Sequence, residues 1–231
     1  MRIGLWALLA AMARSLATLR LGFDGKLTIS EDMERLETEL ALDKVPAAWA
    51  RLAWPSLRPL STWRHNLAAR IAQLTEWAAA PMELPRVVWL SGLVNPQSFL
   101  TAIKQQTAQR SGAELDKLAI VTEVTKRTPA EIDAPAPDGC YISGLFLQGA
   151  RWDVAAGAVD KSRPREMACE LPVVKCRAVP LERLDDKGVY ACPVYKTEQR
   201  GPTFVFMAQL RTKAPPARWT MAGVALIMDV G

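Results

Sequence analysis

The chain has 231 residues, 50% hydrophobic and 23% charged, which excludes a disordered or low-complexity protein. Such a length allows one large domain or two small ones and buries roughly 70–75% of the unfolded surface, so folding needs no disulfide or metal staple. The net charge of +5 comes from 29 basic and 24 acidic residues spread along the sequence, without the block of like charge that marks a nucleic-acid tail.

Residues 3–13 form an apolar run behind Arg2. It is shorter than the roughly 20 residues a transmembrane helix needs, and nothing later is expected to reach that length. One reading is a signal peptide cleaved after Ala13. The other is an amphipathic helix, because Leu5, Leu8, Leu9, Met12, Leu16 and Leu19 keep three- and four-residue steps past that point. Gly22–Gly25 breaks it. Ser30 is placed to cap a second helix carrying Met33, Leu36 and Leu40. Pro46 suits the first position of a short helix through Trp49 and Leu52. A longer one follows Pro59, with Trp63, Leu67, Ile71, Leu74 and Ala78 on one face, and ends before Pro81.

The period then changes. Val87–Leu90 reads as a short buried strand. Asn95 and Pro96 open a helix that turns Phe99, Leu100 and Ile103 inward. Residues 118–124 alternate as a strand, and residues 128–138 read as a loop. The last ninety residues look all-β, with strands predicted at 140–147, 167–171, 173–179, 189–195, 203–211 and 221–229 and a turn at 198–202. Antiparallel strands at this spacing suggest a small barrel or sandwich. The fold class expected is α+β: an N-terminal helical segment, residues 1–85, then a mixed part, residues 86–231, ending in a small antiparallel β-barrel.

Little here resembles a catalytic constellation. Gly22-Phe-Asp-Gly-Lys-Leu-Thr28 has two residues between its glycines and Leu27 after Lys26, whereas a phosphate loop needs four and a hydroxyl residue. The one histidine, His65, lies on a predicted helix. Cys140, Cys169, Cys176 and Cys192 lack C-x-x-C spacing and read as thiols on strands. The carboxylate pairs Glu31–Asp32 and Asp185–Asp186 fit a helix start and a turn. Among eight tryptophans, Trp49, Trp54, Trp63, Trp77, Trp89, Trp152 and Trp219 fall mostly on apolar faces and read as core. Interface anchors are the alternative. No basic groove with interleaved aromatics is visible. No catalytic, cofactor-binding or metal-ligating residue is assigned.

Several segments, in order, resemble the C-terminal region of dynein heavy chains, the axonemal ones in particular. They are Val45-Pro-Ala-Ala-Trp49, Pro55-Ser-Leu-Arg-Pro-Leu60, Leu90-Ser-Gly92, Gln97-Ser-Phe-Leu100, Asp138-Gly-Cys-Tyr-Ile142, Gly144-Leu-Phe-Leu-Gln-Gly-Ala-Arg-Trp-Asp153, Cys192-Pro-Val-Tyr-Lys-Thr197 and Ala222-Gly-Val-Ala-Leu226. The resemblance implies a non-catalytic structural and regulatory domain, helices plus a small β-barrel, lying against the AAA+ ring of its own heavy chain. It implies that ATP and Mg act in the parent polypeptide, not in these residues. The implied partners are the AAA+ modules, and, through the whole complex, dynein intermediate and light chains and microtubules, with no nucleic acid and no membrane. The implied location is the axoneme of cilia and flagella. The competing expectation is a secreted β-barrel that binds a ligand, with residues 1–13 as its signal.

Overall fold

A computed structural model describes residues 4–184 and 187–230. The Asp185–Asp186 pair lies outside them. The chain divides into two compact units, one through Ile71 and the other Ala72–Val230.

The first unit is helical. α1 (Leu5–Phe23) runs unbroken through Ala13, and α2 (Glu31–Ala41), α3 (Ala47–Ala50) and the start of α4 (Leu60–Ala79) follow. Ser30 precedes α2, and Glu31, Asp32 and Glu34 fill its first turn, where negative charge meets the positive helix end. Pro46 stands just before α3, not in its first position. Asp43 caps α4 from a distance: its carboxylate accepts the Ser61 N–H and the Ser61 hydroxyl, each at 2.8 Å. The core joins Leu8, Leu19, Met33, Leu36, Trp49, Trp54, Trp63 and Leu67. Trp54 and Trp63 stack at 5.1 Å between centroids. The Arg70 guanidinium lies 3.9 Å over Trp54, and its Nε donates to Asn66 Oδ1 at 2.7 Å.

α1 corrects one expectation and weighs against another. The apolar segment does not stop at Arg14 but continues to 19 helical residues, long and apolar enough by length and composition to cross a membrane. The same properties suit a helix with one face in a core, and Leu8 and Leu19 are packed that way. Cleavage after Ala13 would strip Leu8 from that core, so the signal-peptide reading is disfavoured.

The second unit holds the rest of α4, then β1 (Val88–Trp89), α5 (Pro96–Ser111), β2 (Leu118–Val124), β3 (Cys140–Ser143), β4 (Phe146–Gln148), β5 (Arg151–Asp153), β6 (Ala158–Asp160), β7 (Ala168–Glu170), β8 (Val174–Pro180), β9 (Val189–Thr197), β10 (Phe204–Arg211), α6 (Pro216–Met221) and β11 (Ala225–Asp229). Asn95 caps α5 as expected, its Oδ1 accepting the Ser98 N–H at 3.1 Å.

The expected barrel does not form. Among the described residues the strands make sheets ordered β1-β3-β8-β2, β10-β9-β11-β4-β7 and β5-β6, and none closes. Two physical reasons are visible. The predicted strand 140–147 bends at Gly144, whose φ of +79° passes the polypeptide from the first sheet into the second. A Cβ at Gly144 would strike the Trp89 ring, so the bend and the close packing both need glycine. At the other side the edges of β2 and β10 meet through side chains. Gln209 Oε1 accepts the Thr122 N–H at 2.9 Å, and Thr122 Oγ1 accepts the Gln209 N–H at 2.7 Å. The edge of β1 is met by Gln73 of α4, which accepts from the Trp89 N–H at 2.7 Å and donates to the Trp89 carbonyl at 3.1 Å.

Candidate functional site

The sequence candidates for chemistry are dispersed. Residues 22–28 form the turn between α1 and α2. The N–H groups of Gly25, Lys26 and Leu27 bond back to the carbonyls of Gly22 and Leu21, so they are not free to cradle a phosphate. Lys26 lies 3.6 Å from Asp24. A nucleotide does not fit these residues.

His65 is exposed on α4 in the first unit, with Nδ1 2.8 Å from the Ser61 carbonyl. The four cysteines are free and lie on strands of the second unit. Cys140 and Cys176 pair across β3 and β8. The neighbouring Cys140 and burial both push the Cys176 thiol well above its ordinary range. Burial raises Cys192 to about 12. A thiolate nucleophile is therefore disfavoured at Cys176 and Cys192 near neutral pH. Among the described residues, no group of three or more His, Cys, Asp or Glu side chains could hold a metal ion.

The tryptophans separate by position. Trp49, Trp54, Trp63, Trp152 and Trp219 are buried, as the core reading expects, while Trp77 and Trp89 are half-buried. Trp6 is 82% exposed. It stands on the helix face of α1 that continues through Ala10, Ala13 and Ala17, away from the face that carries Leu8 and Leu19. Leu16 and Phe23 extend the exposed apolar surface. α1 is thus apolar on a face that the first unit does not cover.

A second surface lies wholly in the second unit. A cleft of about 1610 Å³ is lined by parts of β2 and β8, the end of β10 and the turn between β5 and β6. Its described lining carries nine lysines and arginines against two carboxylates, Glu123 and Asp138. Asp138 is ion-paired to Lys175 and lies 3.9 Å from Arg177. The hydrogen bond from Lys175 is the main reason its carboxyl sits below the usual aspartate range.

Residues 5–228 match the family of C-terminal domains of dynein heavy chains. The protein belongs to that family. It is 53% identical over 223 residues to the flagellar outer arm dynein beta chain of Chlamydomonas reinhardtii. Identity is 45% over 223 residues with the ciliary dynein beta chain of Heliocidaris crassispina and 44% over 219 residues with human dynein axonemal heavy chain 17. These alignments take in 96%, 96% and 95% of this sequence but only 5% of the length of each relative.

The segments that carry the dynein resemblance have structural work to do. Ser91 is buried, with its hydroxyl between the carbonyls of Gly144 at 2.9 Å and Met228 at 2.5 Å, so it ties the sheet-switching bend to the end of β11. Trp49 Nε1 donates to Ser15 Oγ at 3.0 Å and ties α3 to α1. Cys192 and Val194 are fully buried on β9, beside the β11 segment that contains Leu226.

Sequence reasoning misses Trp6 and the basic cleft. Trp6 sits inside a run whose hydrophobicity alone draws notice. The cleft gathers cations from distant segments, which a net charge spread along the sequence hides. The local trace is present in Lys175-Cys-Arg177 and Arg211-Thr-Lys213, where cations two residues apart on extended backbone share a face.

Proposed function

We propose that this domain braces the AAA+ ring of an axonemal dynein heavy chain and tunes the output of that motor. In this reading the docking element is the exposed face of α1, and the occupant is the ring of the parent polypeptide. The observation that carries it is Trp6, 82% exposed on a helix whose opposite face is already packed. A large apolar side chain left in water next to a stripe of alanines marks an interaction surface. The chain covers only 5% of its relatives' length, so in those relatives most of the polypeptide lies outside the matching residues.

Under the proposal, residues 1–85 supply the ring contact and residues 86–231 a stiff body. The domain itself turns over nothing. ATP and Mg act in the parent heavy chain, microtubules are engaged by the parent motor, intermediate and light chains join through the whole complex, and the location is the axoneme. Bracing becomes regulation only if α1 contacts differ between two ring states, because equal contact in both shifts nothing.

The test is a surface change in the intact heavy chain. Deleting α1 would also remove Leu8 and Leu19 from a core, so Trp6→Asp with Leu16→Asp is the cleaner variant. Altered microtubule gliding velocity or ATPase coupling is expected. Unchanged gliding and unchanged ATPase in a heavy chain that assembles normally would defeat the proposal.

A further inference from the structure

We infer that the basic cleft of the second unit is a docking site for an acidic, extended segment of a partner polypeptide. The inference is independent of whether α1 docks on a ring.

Charge is the first argument. Nine cations face two carboxylates in the described lining. Even if Asp185 and Asp186, which follow Leu184 in sequence, are counted against them, cations outnumber carboxylates. Asp138 engages Lys175 and approaches Arg177. Arg127, Arg211 and Lys213 are all exposed, and among the described residues none lies within ion-pair distance of a carboxylate. Glu131 and Asp153 feel the fields of Arg127 and Lys213 without closing a pair. Guanidinium groups take carboxylates as paired, charge-assisted hydrogen bonds.

Size and lining select the class of ligand. A volume of about 1610 Å³ exceeds the roughly 300–1,000 Å³ of small-molecule pockets. It suits several residues of extended peptide. Between the cations Val121 offers an apolar contact on the face of β2 that also carries Glu123, while Val124 packs on the core and the Thr125 hydroxyl donates to the Val173 carbonyl at 2.6 Å. Nucleic acid would ask for aromatic platforms. The lining offers two aromatic side chains, Tyr141 and Trp152, and Trp152 is buried.

The experiment uses the 231-residue chain and a fluorescein-labelled dodecapeptide of Glu-Gly-Glu repeats. Its Lys-Gly-Lys counterpart and a thymidine dodecanucleotide are the comparison probes. Fluorescence anisotropy should show saturable binding of the acidic peptide that weakens steeply with salt. The triple variant Arg127→Glu, Arg211→Glu, Lys213→Glu should bind at least tenfold more weakly. The triple variant Lys44→Glu, Arg51→Glu, Arg64→Glu, with the same change in net charge at exposed sites of the first unit, should bind within about twofold of the unmodified protein. Near-ultraviolet circular dichroism from the tryptophans reports folding. If the charge reversals unfold the protein, glutamine replacements at the same three cleft positions are read instead, with the same tenfold criterion. Three results would overturn the inference: no saturable binding, equal weakening by both triple variants, or an oligonucleotide bound as tightly as the acidic peptide.

Discussion

Gly144 shows how one position can set the path of two sheets. Its positive φ turns β3 into β4, and the absence of a side chain lets the Trp89 ring lie against it. Gly144→Ala should cost about 2–4 kcal/mol, from left-handed backbone strain together with overpacking, read as a lower urea midpoint at unchanged slope. The cysteines carry a different expectation. Cys140, Cys176 and Cys192 are buried, and only Cys169 is partly open to solvent. Brief alkylation of the native protein at pH 8, followed by peptide mass spectrometry, should label Cys169 well ahead of the other three. Equal labelling of all four would mean that the strands around Cys176 and Cys192 open readily.

Among elements, those governed by local rules are legible in the sequence. α5 begins where Asn95-Pro96 says it should, because a side-chain oxygen in reach of an orphan N–H needs no distant partner. β2 has the predicted bounds, since apolar alternation records which face is buried. Asn95→Ala should lower stability by about 0.5–2 kcal/mol, measurable by thermal unfolding, with Asn95→Asp retaining most of it. What escapes depends on the rest of the molecule. β5 and β6 are three residues each around an Ala-Ala-Gly turn, too short for a period to show. α6 is not expected from the sequence, and the final strand, predicted from Met221, begins only at Ala225 because Met221 closes α6 and residues 222–224 form the turn after it. Arg70 is buried in the middle of α4 because Trp54 and Asn66 receive it, a partnership invisible in a helical wheel. The barrel is an inference from strand spacing, and spacing does not say whether edges close. The leading helix stands out in the sequence as an amphipathic element suited to docking, but the exposure of Trp6 and the convergence of the cleft's cations belong to the folded state.

Over the whole molecule, the response to pH should have two limbs, an alkaline one that Tyr190 shares with the buried Cys176 and Cys192 and an acid one that Asp138 shares with Glu131 and Asp153. Burial raises Tyr190 from 10.0 to about 12. A group raised in the folded state holds its proton longer there, so its contribution is complete below pH 10 and is lost as the pH climbs toward 12. Tyr190→Phe should flatten that alkaline decline, while lowering stability at pH 7 by loss of the 2.6 Å bond to the Val224 carbonyl. Asp138 works the other way. Its depressed carboxyl contributes above the ordinary aspartate value of 3.8, and that contribution disappears as the pH falls below it. Asp138→Asn should soften the acid limb and leave the alkaline one alone, as followed by tryptophan fluorescence across a pH series.

The junction of β2 and β10 hangs on one glutamine and one threonine, where an uninterrupted barrel would have knitted backbone to backbone along its whole length. A fastening so narrow is the place where the fold can unzip without dismantling either sheet. In deuterium exchange the amides of Thr122 and Gln209 should lose their protons sooner than those at the β9–β11 ladder, and Gln209→Leu should hasten them further.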